Sequence, residues 1–259
     1  MGHFAPHQLA NHDSAPNGNM TRIPGFDFTF DAWNRLVRVA EPDGTLVAEY
    51  RYAALNRRIT KTTPTETRYF YYNRNWQCLT EYVATSPTPN THYLWGIRYI
   101  DDLICRPQNS QTLYPLTDPN WNVVALVDST GIPAERYTYN AFGHLNINDG
   151  NFTPRTFTGQ VLDVETGLML YRNRFYSNFL GRFIQRDPMV YGGDDVSQYR
   201  YVINLPNLLQ DPEGLFDLSA CIAREKIYSF SYKIPVPSAV GAWHHGSQNV
   251  AQNGNFKRR

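Results

Sequence analysis

Two Asp-Pro steps stand out among the residues that could do chemistry: Asp187-Pro188 and Asp211-Pro212-Glu213-Gly214. On their own they are turn chemistry. Aspartate accepts from nearby backbone N–H groups, proline fixes φ, and glycine relieves a positive φ. The acidic pairs Asp101-Asp102 and Asp194-Asp195 read as solvated loops rather than metal ligands. His244 and His245 are adjacent, and neighbouring side chains on a strand point to opposite faces, so no metal is expected there. Cys78, Cys105 and Cys221 contain no CxxC pair and leave one thiol over in any pairing, which argues against structural zinc and against a disulfide framework. No glycine-rich loop opens a helix as phosphate binding requires, and no GxSxG, HExxH or Ser/His/Asp pattern occurs. The expected cofactor set is therefore none, with no metal. Asn19-Met20-Thr21 and Asn151-Phe152-Thr153 fit the glycosylation sequon, which matters only in a secreted chain.

The elements that must position these groups follow from composition. The chain has 259 residues, with 24 Lys+Arg against 23 Asp+Glu, a formal charge of +1. So even a balance gives no electrostatic case for nucleic acid or an anionic membrane. Charged residues are 18%, below the roughly 25% usual in globular proteins, while aromatics reach 14%. Eighteen Tyr, 14 Phe, 17 Gly and 17 Pro favour strands and turns over helical bundles. No apolar run approaches the ~18 residues of a membrane span. The N-terminal stretch lacks the apolar region of a signal peptide, so the chain is expected to be cytoplasmic, exported by a signal-free route, or part of something longer.

Residues 1–25 read as a flexible leader. From Phe26 onward, FDFTF, TLVAEYRY, ETRYFYY, THYLWGIRYI, QTLYPLT and NVVALV are short strand-like runs separated by turn clusters. Asp43-Gly44 and Asp128-Ser129-Thr130-Gly131 read as hairpin turns. SQYRYVINLPNLLQ, residues 197–210, is the best short-helix candidate, stopped by Pro206. An internal repeat sets the architecture. Phe30-Asp31-Ala32-Trp33-Asn34-Arg35-Leu36 recurs 22 residues later as Tyr52-Ala53-Ala54-Leu55-Asn56-Arg57-Arg58. Tyr72-Asn73-Arg74-Asn75-Trp76 is a weaker copy, and Tyr139-Asn140-Ala141-Phe142-Gly143-His144-Leu145 a clear one. In the template the aromatic covers the core, Asp or Asn caps a turn, Asn or Gly takes the left-handed position, and the basic residue starts the return strand, with Ala53 at the capping position of the second copy. Such units cannot bury a face alone and must stack into one sheet.

This unit resembles the tyrosine–aspartate repeat of the Rhs/YD-repeat family. WGIRYIDDLICR, TDPNWNVVALVDSTGIPAERYTYNAFG, FTGQVLDVETGLMLYRNRFYSNFLGRFIQRDP and NLPNLLQDPEGL follow the order of the Rhs repeat-associated core, from about Phe26 to Leu215. Glu165 to Asp187 is the most specific part. Ser177 departs from the aspartate usual after the aromatic pair. The resemblance implies an all-β fold: a YD-repeat hairpin sheet, part of an Rhs-type spiral shell, ending in an Rhs core plug with one or two short helices. The expected divisions are leader 1–25, repeat sheet 26–150, core segment 151–215 ending in DPEGL, and a variable C-terminal tail 216–259.

The resemblance also implies chemistry. Carried over residue by residue, it makes Asp187 and Asp211 an aspartyl self-cleaving pair, with Arg182 beside them and Leu215–Phe216 as the bond cut. Two carboxylates at close range cannot both ionise freely, so one could activate water while the other donates a proton. A guanidinium could hold the pair or the oxyanion. Leu215 lies four residues after Asp211, so attack within the chain has a high effective concentration. The alternative is a noncatalytic structural or cell-surface module, or a truncated remnant of a polymorphic toxin. Expected partners are the remaining Rhs shell or a secretion-system component, and carbohydrate or cell-surface groups. Nucleic acid and a membrane span are not expected.

Overall fold

A computed structural model describes residues 14–108, 111–148, 154–189 and 197–215. The strands are β1 (Arg22–Ile23), β2 (Phe26–Phe30), β3 (Leu36–Ala40), β4 (Leu46–Tyr52), β5 (Arg58–Thr62), β6 (Thr67–Tyr72), β7 (Cys78–Val83), β8 (Thr91–His92), β9 (Leu94–Trp95), β10 (Leu103–Gln108), β11 (Gln111–Thr117), β12 (Val123–Val127), β13 (Pro133–Tyr139) and β14 (Leu145–Asn148). They form one antiparallel sheet in chain order, with β9 pairing β10 off the main path. A second sheet follows, β15 (Val161–Asp163), β16 (Leu168–Tyr171), β17 (Arg174–Ser177) and β18 (Arg182–Phe183), again in chain order. The fold is all-β.

One turn frame builds the large sheet. Asp31 Oδ1 accepts from the backbone N–H of Trp33 (2.9 Å) and Arg35 (3.0 Å), and Asn34 sits at φ 61°. Asn73, Asp118, Asp128 and Asn140 make the same pair of bonds to residues two and four further on. The residue three after each of them has positive φ: Trp76, Trp121, Gly131 and Gly143. The strand register shifts by one residue beside these turns, as between Thr29 and Phe30. This is the three-residue hairpin loop with a left-handed bulge residue, and it preserves the sheet's twist. The copy at Ala53 lacks the capping side chain and closes on backbone bonds alone, Ala53 N to Arg57 O (2.8 Å) and Asn56 N to Ala53 O (3.0 Å). Gly44 at φ 89° completes the Asp43-Gly44 hairpin in the same frame.

The small sheet packs against one face of the large one, and every residue of β16 and β17 is buried. Leu168, Leu170, Phe175 and Ile184 join Phe28, Leu36, Val39, Ala48 and Tyr50 in one core cluster. A second cluster gathers Phe157, Tyr171, Tyr176, Phe183 and Tyr201. There the Tyr171 ring meets Tyr176, Phe183 and Tyr201 edge-to-face at 5.4, 5.7 and 5.4 Å, the geometry ring quadrupoles favour. Polar links fix the register of sheet on sheet. Asp163 pairs with Arg58 and, at 3.1 Å, with Lys61, while Gln185 Nε2 donates to Asn34 O (2.9 Å).

Three expectations change. Residues 14–25 are part of the fold rather than a loose leader: β1 pairs β2, Met20 and Ile23 enter the core, and Asn19 is wholly buried against Asn34, so its sequon is inaccessible in the folded chain. Residues 197–210 form no α-helix. They hold one 3-10 turn, Val202–Asn204, whose three residues all have positive φ, because Tyr201 and Val202 must both enter the aromatic core just ahead of Pro206. Asp101 and Asp102 are buried rather than solvated, each held by an arginine. Asp194, Asp195, His244, His245, Cys221, Asn151 and Phe216 lie outside the described residues. Among the described residues no group of three or more His, Cys, Asp or Glu could hold a metal, and no helix is long and apolar enough to cross a membrane.

Candidate functional site

The β16–β17 hairpin turns on Arg172 and Asn173, since Tyr171 pairs with Arg174. Arg174, the first residue of β17, points inward. A fully buried guanidinium must find acceptors, and it finds four. Nη2 reaches Asp187 Oδ2 at 2.9 Å and Asp211 Oδ2 at 3.4 Å, Nε donates to Gly214 O at 2.5 Å, and Nη1 to Gln198 O at 3.1 Å. Its cation lies 3.7 Å from the centre of the Phe183 ring, a further stabilising contact for a desolvated arginine. Asp187 and Asp211, each ahead of a proline and 24 residues apart in sequence, therefore meet on one nitrogen.

Their surroundings differ. The Asp211 side chain is 3% exposed and that of Asp187 13%. Burial pushes the Asp211 carboxyl up to about 6, against the pull of Arg174 and of its hydrogen bond from Leu215. Asp211 Oδ1 accepts the Leu215 N–H at 2.9 Å, which sets the carboxylate one residue from the 215–216 peptide. Asp187 accepts from Met189 N (2.9 Å) and gives its own N–H to Gln198 O (3.0 Å). Burial draws the pKa of Arg174 down, opposed by Asp211 and Asp187.

The DPEGL segment is gripped by its backbone. Arg172 Nη1 donates to Pro212 O, and Asn173 donates to Glu213 O from both its backbone N (3.2 Å) and Nδ2 (3.0 Å). With Arg174 on Gly214 O, three consecutive carbonyls are taken by three consecutive residues. Gly214, at φ 65°, lies so close to Tyr171 O that a Cβ there would overlap it. Its glycine identity is thus required twice, by backbone conformation and by space.

Arg182 is elsewhere. It starts β18, opposite Ser177, with its guanidinium 5.6 Å from the centre of the Tyr199 ring. The arginine at the acids is Arg174, which the sequence reading did not single out. The signal for it was the run Tyr-Arg-Asn-Arg-Phe-Tyr: a strand buried on both faces that carries an arginine must supply that arginine with acids. Ser177 closes the turn after β17, accepting from Leu180 N through Oγ at 3.2 Å.

Comparison with known proteins gives the context. The family description Teneurin YD-shell matches residues 11–236. The chain belongs to the YD-shell family. Relatives of this YD-shell chain include the tRNA3(Ser)-specific nuclease WapA of Bacillus spizizenii, 28% identical over 207 residues, which is 76% of this chain and 9% of the relative. Double-stranded DNA deaminase toxin A of Burkholderia cenocepacia is 29% identical over 220 residues, covering 73% of this chain and 15% of that protein. Among solved structures, the Photorhabdus luminescens Tc holotoxin pore matches with a TM-score of 0.63 at 21% identity, over 82% of this chain and 11% of that one. The chain thus spans a small part of the length of each YD-shell protein it matches, and the structural likeness at this identity shows the shared fold.

Proposed function

We propose that this chain is the closing core of a YD shell that cuts itself after Leu215 and frees the residues from Phe216 onward as a separate piece. One observation carries the reading: Asp211 holds the Leu215 N–H through one oxygen and shares Arg174 with Asp187 through the other. Asp187, the wetter acid, takes a proton from water as its oxygen bonds the Leu215 carbonyl carbon. Asp211, whose burial favours the protonated form, gives its proton to the carbonyl oxygen. On collapse the C–N bond to Phe216 breaks, the nitrogen takes the proton from Asp187, and a hydroxyl of the carbon returns one to Asp211. The products are a Leu215 carboxyl and a Phe216 amine. Arg174 is a positioning residue that keeps both acids on one centre; Arg182 has no part in this scheme.

The names of the relatives, a nuclease and a deaminase toxin among them, support a polymorphic-toxin setting in which the residues after the junction are the variable part. The partner in this reading is the rest of the shell. A second reading is favoured by the position of Arg174 between the carboxylates, since a cation there lets both stay ionised. The site is then a noncatalytic clasp. Intact mass of the expressed chain decides. Self-cleavage yields a fragment ending at Leu215 that disappears in Asp187→Asn and in Asp211→Asn. A single full-length mass, stable on storage, leaves the clasp.

A further inference from the structure

We infer that the position of the cut is measured along the backbone from Gly214, by a clamp of Arg172, Asn173 and Arg174 that Asp101 holds in place, and is not read from the side chains at the junction. This rests on the self-cleavage reading above. The clamp takes the carbonyls of Pro212, Glu213 and Gly214 one by one. Carbonyls are the same in every residue, so such a grip fixes register without reading sequence. Among the described residues, the one group held after Gly214 is the Leu215 N–H, on Asp211 Oδ1. The Leu215 side chain is half-buried, whereas a residue selected by its side chain would be enclosed. The glycine supplies the zero of the ruler, because only Gly214 can approach Tyr171 O so closely.

Asp101 supplies the anchor. Arg172 occupies a two-residue turn with φ 37°, a strained value for a residue with a side chain, so something outside the hairpin must hold it. Asp101 does so with both oxygens, Oδ1 to Nη2 at 2.6 Å and Oδ2 to Nη1 at 3.2 Å. The fork matches the guanidinium and fixes its plane. Gln160 Nε2 donates to Asp101 Oδ2 at 2.7 Å, Arg155 Nη1 lies 4.0 Å from Oδ1, and Gly159 leaves the space that Asp101 fills: a Cβ there would come within 2.9 Å of the Asp101 Cβ. Asp101 lies just ahead of β10 in the large sheet, so the ruler is referenced to the sheet and not merely to its own hairpin. Among the described residues it pairs with Arg172, Gln160 and Arg155 and with neither Asp187 nor Asp211, and is a positioning residue.

Two variants of the full chain test this, refolded from denaturant and weighed intact. In a Leu215→Ala, Phe216→Ala double variant the ruler requires a cut between the two alanines, at a rate within a few-fold of wild type. With one alanine inserted between Gly214 and Leu215, the first product must end on that alanine and the second begin with leucine. A product still ending on leucine, or a double variant that keeps slow exchange of the Asn173 amide yet is not cut, overturns the ruler alone. A wild-type chain that is never cut overturns the self-cleavage reading and the ruler with it. Asp101→Asn gives the anchor's signature: products with ragged ends on either side of residue 215, which a loss of stability would not create. Asp102→Asn, which breaks the neighbouring pair with Arg98, keeps the single end. Uniform ends in Asp101→Asn remove Asp101 from the clamp.

Discussion

If the chain cuts itself as proposed, the pH dependence of the cut follows from the burial of Asp211. Its carboxyl titrates at about 6 because the fold strips it of water, with Arg174 and the Leu215 N–H only partly offsetting the loss. If Asp211 gives the proton, the competent fraction falls about tenfold per pH unit above 6, or roughly 25-fold between about pH 6.5 and about pH 8. Stability carries the same sign. The folded pKa lies above the ordinary value near 3.9, so the native state binds this proton more tightly than the unfolded chain. The associated stability is present below the ordinary value and lost as pH rises through about 6, and a shift of about 2 units corresponds to about 3 kcal/mol. The assay starts from chain held unfolded in urea, so that no cutting has yet occurred. Dilution into buffers across this range starts the reaction, and the fragment ending at Leu215 is followed by mass. Asp187→Asn, uncut, serves as the blank. A rate that is flat or rises from pH 6.5 to 8 refutes the assignment of Asp211 as the acid.

Gly214→Ala places a Cβ on the Tyr171 carbonyl and a side chain at φ 65°, which costs about 1–2 kcal/mol for the conformation alone. The DPEGL segment is expected to leave the hairpin, so cutting stops while the β-sheet circular dichroism is kept; a variant cut at the normal rate would falsify the grip. Asp163→Asn strands the buried Arg58, which lies 5.1 Å from both the Tyr50 and Phe70 rings, and is expected to cost about 3–5 kcal/mol. In a thermal melt that is roughly 6–20 °C for a domain of this size. Burial raises the Asp163 pKa, but Arg58 and Lys61 more than reverse this, so its contribution is present above the ordinary carboxylate value and disappears as pH falls through the depressed one.

The repeat was legible because its turn chemistry is local. Asp31 and Asn34 do their work within five residues, so the capping oxygen and the left-handed position can both be read in sequence. Even there the rule bends. Trp76 and Trp121 occupy positive φ where Asn or Gly is expected, and each ring has a tertiary neighbour: Arg57 at 5.3 Å over Trp76, and Tyr99 stacked at 4.7 Å on Trp121. Long-range contacts outweigh local preference at these two turns. The helix expected over 197–210 fails for the same reason. Its spacing of Tyr201, Leu205 and Leu209 suits a helix, but the core claims Tyr201 and Val202 together. The acids could be named from a resemblance, yet their arginine could not. Arg182 is close to Asp187 in sequence, whereas Arg174 reaches it across a strand pair. Nor does any local pattern show that Asp101, some 70 residues upstream, reaches Arg172.

In the proposed cleavage Arg174, Asp187 and Asp211 would serve folding and chemistry at once, and the physics makes the two hard to separate. Arg174 cannot be buried without acids and carbonyls to receive its N–H groups, since an unpaired internal cation costs several kcal/mol. Asp187, Asp211, Gly214 O and Gln198 O are what receive them. The DPEGL segment therefore docks on the hairpin as a condition of folding, before any bond is cut. Docking in turn desolvates Asp211 and raises its pKa toward the range where proton transfer works at neutral or mildly acid pH. An acid at the surface would carry neither the burial nor the shift. On this reasoning the reaction cannot run in a chain whose core is still open: the carboxyl becomes an acid only when β17 is in place, and the 215–216 bond is presented only when the clamp has closed. Cutting would then report that the core has finished folding.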